Sequence, residues 1–227
     1  MSFTTALFDL TVPVDRLIEL APLLDESEQE RAAAFHFQRD RDRFIARRGL
    51  LRIELARAIG QTPETLRYDL GPQGKPRLRN ASELRFNLSF SNDLALFAMS
   101  RSNEIGCDIE RINPAHARRD VAQRFFSPEE FTVLTELPED QWAEGFFNCW
   151  TRKEAYLKAV GEGLAAPLDS FDVTLAPDDP PRMLTLKGDA DRAARWFFRH
   201  FRPAEDYIGA LAIEGGTWEV KTWALTP

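Results

Sequence analysis

Residues 108–110 read Asp-Ile-Glu and carry the strongest chemical signal in the sequence. Residues two apart on a β-strand point to the same face, so Asp108 and Glu110 are expected to lie side by side, with Gly106 leaving open space beside them. The opposite face is apolar and is expected to lie in the core: Ile105, Cys107 and Ile109. Two neighbouring carboxylates repel each other, and a hard divalent cation such as Mg²⁺ would neutralise both. The alternative is an exposed strand end beside Arg111.

A second group of polar residues lies in the segment 150–158, which reads WTRKEAYLK and has helical character. Helical spacing places Trp150, Glu154 and Lys158 on one face. The alternative is an ordinary Glu–Lys helix pair, with the tryptophan in the core. Together with the strand carboxylates, this segment offers a third acid for a cation. It also offers two lysines, Lys153 and Lys158, for anionic oxygens.

Weaker signals for phosphate binding lie in the first half of the chain. Lys75 occupies a Gly-Lys-Pro turn, and Ser89 and Ser91 stand near the end of a predicted strand. An arginine-rich segment, 31–57, lies in a protein whose net charge is −7. That segment is either a solvated helix face or a site for an anionic small molecule. Its arginines are Arg31, Arg39, Arg41, Arg43, Arg47, Arg48, Arg52 and Arg57.

The composition narrows the class of protein. The 227 residues are 29% charged and 44% hydrophobic, which is typical of a globular protein with a sizeable core. The negative net charge argues against a general nucleic-acid binder, and no apolar run is long enough for a membrane helix. No basic region precedes the first acid, so a signal peptide is not expected. The two cysteines, Cys107 and Cys149, exclude a disulfide scaffold and a cysteine zinc site, and they favour a cytoplasmic location.

Spacing and capping signals predict the elements that would carry these residues. Two long helices are expected, each ending at a glycine: 41–60 and 145–161. Shorter helices are expected at 14–24, at 26–35, at 121–126, and from residue 128 after a Ser-Pro cap. Apolar alternation predicts strands at 3–12, 84–89, 94–100, 104–110, 170–175, 183–188, 195–201, 207–213 and 218–225.

A faint internal repeat relates the two long helices. Each is followed by a similar strand, LALFAM in the first half and IGALAI in the second, and the alignment superposes Arg52 on Lys153. The repeat predicts an α+β fold of two pseudo-symmetric halves, each a small, mostly antiparallel sheet packed against a long helix. The halves would span 1–102 and 103–227, with the metal site in the second.

Five motifs in order resemble the Sfp-type class of 4′-phosphopantetheinyl transferases: GKP, FNLSFS, GCDIE, RFFSPEEF and WTRKEAYLKAVGEGL. The hallmark of that family is a G-x-D-x-E strand followed further along the chain by W-x-x-K-E-A-x-x-K. In this chain the strand motif with Asp108 and the helix motif with Lys153 follow in the same order, and their separation along the sequence is similar to that in the family. The resemblance covers roughly residues 25–175.

The resemblance implies a transferase that moves the phosphopantetheine arm of coenzyme A to a serine of an acyl or peptidyl carrier protein. Adenosine 3′,5′-bisphosphate would be the other product. Mg²⁺ on Asp108, Glu110 and Glu154 would neutralise the pyrophosphate, and Lys158 would contact the phosphate under attack. Glu154 or Glu130 would orient or deprotonate the serine.

The resemblance also implies that coenzyme A lies in the cleft between the halves. Its 3′-phosphate would face Arg31, Arg43 and Arg47. Its other contacts would come from Lys75, Pro76, Ser89, Phe90, Ser91, Lys153 and Lys158. The family pattern is N-x-S-H-S, whereas this chain has Phe90 at the histidine position. Weaker binding of coenzyme A than in histidine-bearing relatives is therefore expected.

The fused repeat predicts a functional monomer, and an acidic carrier domain is expected to dock on Arg118, Arg119 and Arg124. Two alternatives remain open. One is a carrier-binding relative with weakened catalysis, against which the intact acids and lysines argue. The other is a different Mg²⁺-dependent phosphoryl-transfer enzyme, and the lack of a G-x-x-x-x-G-K-[ST] loop argues against its common forms.

Overall fold

The computed structural model describes residues 2–71, 73–79, 81, 83–161, 167–215 and 218–223. The α-helices in these ranges are α1 (Val14–Leu20), α2 (Glu26–Ala33), α3 (Gln38–Ile59), α4 (Arg119–Phe125), α5 (Pro128–Glu136), α6 (Trp142–Val160) and α7 (Ala190–Ala193). The strands are β1 (Ser2–Asp9), β2 (Tyr68–Leu70), β3 (Pro76–Leu78), β4 (Arg85–Ser91), β5 (Leu94–Ser100), β6 (Ile105–Arg111), β7 (Phe171–Val173), β8 (Met183–Leu186), β9 (Trp196–Phe201), β10 (Tyr207–Glu214) and β11 (Glu219–Trp223). Among these helices, none has both the length and the apolar character needed to cross a bilayer.

The first half is built on a four-stranded sheet in the order β11-β1-β5-β4, with α3 packed on one face. Successive side chains of a strand lie on opposite faces of the sheet. Phe86 and Phe97 therefore point to α3, whereas Leu96 and Ala98 point away from it. The helix ends at Gly60, whose φ of 67° is in the left-handed region that favours glycine. The predicted helix end is therefore confirmed.

The second half has a three-stranded antiparallel sheet, β6-β10-β9, covered by α6. The helix packs directly on β6, because a Cβ atom at Gly106 would lie 2.1 Å from the carbonyl oxygen of Ala155. The space expected beside Gly106 is thus filled by helix backbone, and that expectation was wrong. The helix ends at Gly161, with φ 74°, as predicted.

The two sheets bury a third apolar cluster between them, which includes Leu96 of β5, Cys107 of β6 and Leu211 of β10. The molecule is therefore layered as helix, sheet, sheet and helix. Strand β4 runs beside β6, and the backbone N–H of Cys107 donates to the side-chain oxygen of Asn87 at 2.9 Å. The predicted α+β fold of two similar halves, each a small, mostly antiparallel sheet against a long helix, is confirmed.

Strand β11 departs from the simple division into halves. It follows every other described strand in sequence, yet it pairs in parallel with β1, starting with Ser2 opposite Glu219. A boundary after residue 102 therefore separates the long helices but not the sheets. The last two residues of the strand predicted at 218–225 lie outside the described part of the chain.

The hairpin of β2 and β3 was not predicted. Its strands have three residues each and flank the turn that contains Gly74 and Lys75. Three residues are too few to show an alternating apolar pattern, so only the turn signal was visible in the sequence.

Candidate active site

A cleft of about 760 Å³ opens where the ends of β4 and β6 meet α6. We call it the acidic cleft, because three carboxylates of these elements line it: Asp108, Glu110 and Glu154. Its other lining residues are Leu88, Ser89, Phe90, Arg124, Phe125, Trp150, Lys158, Pro167, Leu168 and Asp169. The face shared by Trp150, Glu154 and Lys158 on α6 is thus the face toward the cleft, so this tryptophan is not simply a core residue.

Two serines of β4 hold the two carboxylates of β6. The Ser89 hydroxyl donates to Asp108 Oδ1 at 2.7 Å, and the Ser91 hydroxyl donates to Glu110 Oε2 at 2.9 Å. The pairing follows from the period of two on both strands, which brings every second residue of β4 toward β6. These hydroxyls therefore orient the carboxylates.

Lys158 enters the same network from α6. Its ammonium group lies 2.5 Å from Asp108 Oδ1 and 3.0 Å from the Ser89 hydroxyl. Burial lowers the pKa of Lys158, but Asp108, with smaller contributions from Cys107 and Glu154, acts against burial, and the net pKa is raised. The lysine is thus cationic, and its side chain remains about one-third exposed, at 31%, toward the cleft.

The three carboxylates are not fully neutralised by the protein. Burial, and then repulsion by Asp108, raises the pKa of Glu110 to about 7. The same two causes raise the pKa of Glu154. Asp108 Oδ2 and Glu154 Oε1 are buried without a hydrogen-bond partner.

Hard carboxylate oxygens that lack partners in a like-charged cluster fit a divalent cation. Among the described residues, no three His, Cys, Asp or Glu side chains are placed so that all three could hold one metal ion, so the three acids expected to share a cation do not yet converge on a single point. This is compatible with Mg²⁺, which is commonly held by one or two carboxylates together with substrate phosphates and water. The acidic cleft thus supplies part of a coordination sphere and leaves the rest to a ligand.

A second cleft, of about 570 Å³, adjoins the first and shares Leu88 and Phe90 with it. We call it the basic cleft, because it is lined by five arginines: Arg31, Arg47, Arg48, Arg67 and Arg79. Pro76 of the Gly-Lys-Pro turn also lines it. The arginine-rich segment is therefore not only a solvated helix face, because part of it faces a cavity.

Two of the cations expected to contact coenzyme A, Arg43 and Lys75, do not line the basic cleft. Arg43 pairs with Asp93 in the β4–β5 turn and does not line the basic cleft. Lys75 donates to Glu104 and to the carbonyl oxygens of Ile105 and Ala159, at 2.8, 3.1 and 2.8 Å. All three of its protons are engaged, so Lys75 joins its turn to β6 and α6, and none is left for a phosphate.

Glu130 and Lys153 form a buried pair, and neither of them lines either cleft. Lys153 Nζ lies 2.8 Å from Glu130 Oε2 and donates to the carbonyl oxygens of Leu168 and Phe171. Glu130 also closes a capping box with Ser127 at the start of α5. The ammonium group therefore ties a capped helix to the segment that follows α6.

The first half of the chain contains an equivalent arrangement, in which a buried cation of the long helix pairs with the acid of a capping box. Arg52 of α3 lies 2.6 Å from Glu28, which closes the capping box of α2 with Asp25. Its guanidinium also donates to the carbonyl oxygens of Pro63 and Leu66, in the segment that follows α3. The aligned pair Arg52 and Lys153 is thus equivalent in structure as well as in sequence.

This equivalence bears on the expected roles of Glu130 and Lys153. Glu28, the counterpart of Glu130, caps a helix in the half without the carboxylate cluster. The structure does not bring Glu130 or Lys153 to a cleft, contrary to the expectation of contacts with ligand. Glu154 is the remaining candidate for accepting a proton.

We expect Lys153→Met to lower the free energy of unfolding by about 3–5 kcal/mol, because Glu130 would keep a buried charge without a cation. The double variant Glu130→Gln/Lys153→Met should recover much of the loss, since no unpaired charge remains. Denaturant unfolding of both variants measures this, with exposed Arg39→Met as the control that changes little. A double variant less stable than Lys153→Met would contradict the assignment.

Some lining residues belong to no motif that the sequence shows. Pro167, Leu168 and Asp169 come from the segment before β7. Such residue types are common, and only the fold brings them to the cleft. Arg124, expected to dock a partner, lines the acidic cleft itself.

Comparison with known proteins gives a consistent result along the chain. A model of the 4′-phosphopantetheinyl transferase superfamily matches residues 104–212, and a model of the N-terminal part of 4′-phosphopantetheinyl transferase matches residues 13–102. The chain is 37% identical over 217 residues to the 4′-phosphopantetheinyl transferase HetI of Nostoc sp., covering 94% of this chain and 88% of that one. It is 30% identical over 155 residues to the 4′-phosphopantetheinyl transferase Sfp of Bacillus subtilis, covering 68% of each.

Solved structures give weaker likenesses. A holo-(acyl-carrier-protein) synthase from Bacillus anthracis in complex with CoA (3′,5′-ADP) has a TM-score of 0.39 and 21% identity, covering 50% of this chain and 96% of that one. The Thermotoga maritima holo-[acyl-carrier-protein] synthase has a TM-score of 0.39 and 17% identity, covering 50% and 64%.

Proposed function

The chain belongs to the 4′-phosphopantetheinyl transferase superfamily, and on that premise we propose that coenzyme A is its donor and Mg²⁺ its cofactor. As a member, it transfers phosphopantetheine to carrier proteins. The observation that supports the finer proposal is the acidic cleft, where three carboxylates and a lysine converge beside a basic cleft. Such an arrangement suits a ligand that is anionic at two separate places, as coenzyme A is.

The residues that would hold Mg²⁺ are Asp108, Glu110 and Glu154, whose oxygens include two that lack partners. The metal, when bound, would neutralise charge on the pyrophosphate. Ser89 and Ser91 keep two of these carboxylates in place through the hydrogen bonds described above.

The transfer breaks the phosphoanhydride bond of the coenzyme A pyrophosphate and forms a phosphoester bond to serine. The carrier's serine oxygen attacks the phosphorus that bears pantetheine, and the bond from that phosphorus to the bridging oxygen breaks. Adenosine 3′,5′-bisphosphate leaves with that oxygen. Glu154 accepts the serine proton, since it lines the cleft and the other candidate, Glu130, is paired with Lys153. Lys158 stabilises the charge on the attacked phosphate.

The basic cleft would take the 3′-phosphate of coenzyme A. Arg31 and Arg47 line it and, among the described residues, have no carboxylate partner in an ion pair. By contrast, Arg48 pairs with Glu28. Cations without internal partners are the ones available to an incoming anion. Arg43, Lys75 and Lys153 are left out of this assignment because protein groups engage them.

The carrier protein would approach over the mouth of the acidic cleft. Arg124 lines that cleft, and Arg118 and Arg119 lie at the other end of the same short helix, where Arg118 pairs with Asp120 at the surface. A basic rim would steer an acidic carrier domain toward the site. A monomer would suffice, because both clefts are formed within one chain. The two buried thiols, Cys107 and Cys149, are unpaired, which supports a reducing, cytoplasmic location.

Incubation of the protein with coenzyme A, Mg²⁺ and an apo carrier protein tests the proposal. Intact-mass measurement should show a gain of one phosphopantetheine arm on the carrier, lost when a chelator is added. A carrier that binds without gaining mass would instead identify a non-catalytic binder. A panel of apo carriers would then show which are served.

A further inference from the structure

Phe90 is an exposed aromatic residue at the junction of the two clefts. Its side chain is 52% exposed, and it lines both cavities. On β4 it alternates with Ser89 and Ser91, so it points to the α3 side while the serines point to β6. It thus faces away from the carboxylates that the serines hold.

The residue that Phe90 meets on α3 is Arg47. The guanidinium carbon of Arg47 lies 3.5 Å from the centre of the Phe90 ring and 5.4 Å from that of Phe44. Burial, and then the neighbouring Arg48 and Arg31, lowers the pKa of Arg47 to about 10. A cation destabilised by its neighbours favours an anion beside it.

The Phe90 ring contacts the Arg47 guanidinium without occupying the hydrogen-bond donors of that guanidinium. A guanidinium carries five N–H groups in its plane, and an aromatic face contacts only the flat side. A carboxylate in the same place would have taken up hydrogen-bond donors, as Glu28 does when it accepts from the Nε–H of Arg48 and the Nε–H of Arg52. Among the described residues, Arg47 donates no hydrogen bond to a side chain or backbone group, so its edge remains available for a planar fork of contacts to a phosphate.

We infer that Phe90 is a positioning residue for Arg47, holding its guanidinium at the cleft junction so that its edge binds the 3′-phosphate of coenzyme A. This inference rests on the proposed function, because it takes coenzyme A as the ligand. Phe90 would then act through the arginine and make no polar contact with a phosphate itself.

Calorimetric titration with coenzyme A and with 3′-dephospho-coenzyme A tests the inference without turnover. We expect Phe90→Leu, which keeps apolar volume and removes the ring, to raise the Kd for coenzyme A about fivefold to thirtyfold. Arg47→Gln should raise it about tenfold to a hundredfold. Phe90→Tyr should recover most of the affinity, because it restores an aromatic face.

The combination of variants separates positioning from simple packing. The double variant Phe90→Leu/Arg47→Gln should bind coenzyme A no more weakly than Arg47→Gln alone, because the ring acts only through the arginine. For 3′-dephospho-coenzyme A, the wild type and these variants should have similar Kd values. Matched controls are Phe37→Leu, at another exposed phenylalanine, and Arg39→Gln, at an exposed arginine of the same helix.

Two results would overturn the inference. One is an unchanged Kd for coenzyme A in Phe90→Leu. The other is an equal loss of affinity for both ligands in that variant, which would indicate contact with another part of the molecule. Failure of the mass-gain assay with normal coenzyme A binding would count against the proposed transfer reaction and leave this inference standing.

Discussion

Asp108→Ala is expected to abolish measurable transfer of phosphopantetheine while the fold is retained. The variant loses a metal ligand and the anion that orients Lys158. Metal neutralisation of transition-state charge contributes several kcal/mol, so the rate should fall by about a thousandfold or more. The fold should be retained, because Lys158, which loses its partner, is about one-third exposed, and because removal of Asp108 weakens the repulsion that adds to burial in raising the pKa values of Glu110 and Glu154.

Two measurements on the same variant check this expectation. Intact-mass kinetics follow the loss of transfer, and thermal unfolding shows whether the variant remains folded at the assay temperature. Asp206→Ala serves as the control, because its carboxylate makes only an exposed pair with Arg111 and should leave both measurements nearly unchanged. Near-normal transfer by Asp108→Ala would show that the metal assignment is wrong.

Lys158→Met is expected to lower kcat by about a hundredfold to a thousandfold and to change KM for coenzyme A much less. The ammonium group faces the acidic cleft, where charge grows on the attacked phosphate, so its main interaction is made in the transition state. Methionine keeps an unbranched chain of similar reach and removes only the charge and its donors.

Steady-state kinetics with saturating carrier protein measure the split between kcat and KM. Lys187→Met is the matched control, because Lys187 is an exposed lysine on the turn after β8. A rise in KM with normal kcat would place Lys158 in ground-state binding of coenzyme A and would contradict its assigned role.

The carboxylate cluster was predictable because short-range periodicity determines it. A period of two sets Asp108 beside Glu110, and a period of about four sets Glu154 above Lys158, so each pair shares a face before tertiary structure is considered. The two faces then meet because Gly106 permits close approach of α6 to β6. Apolar alternation likewise predicted most strands of the two sheets.

The roles of Glu130 and Lys153 could not be settled in the same way. A glutamate three residues after a serine fits a helix cap as well as an active-site acid, and only burial of the pair distinguishes the two. Lys75 and Arg43 show the same limit, since their partners lie far away in sequence at Glu104 and Asp93. The motifs show which charged residues could bind a ligand, but they do not show which of these residues already form ion pairs within the protein.

The parallel pairing of β11 with β1 has a consequence for the order of folding during synthesis on the ribosome. β1 is translated first among the described strands and β11 last, so one edge of the first sheet stays open while the intervening elements emerge. The first half can close its helix-covered core early but cannot complete its sheet until residues 219–223 leave the exit tunnel. That contact spans nearly the whole chain, and such long-range closure slows folding. The nascent protein therefore exposes the free edge of β1, which can pair with other strands, until residues 219–223 have left the exit tunnel.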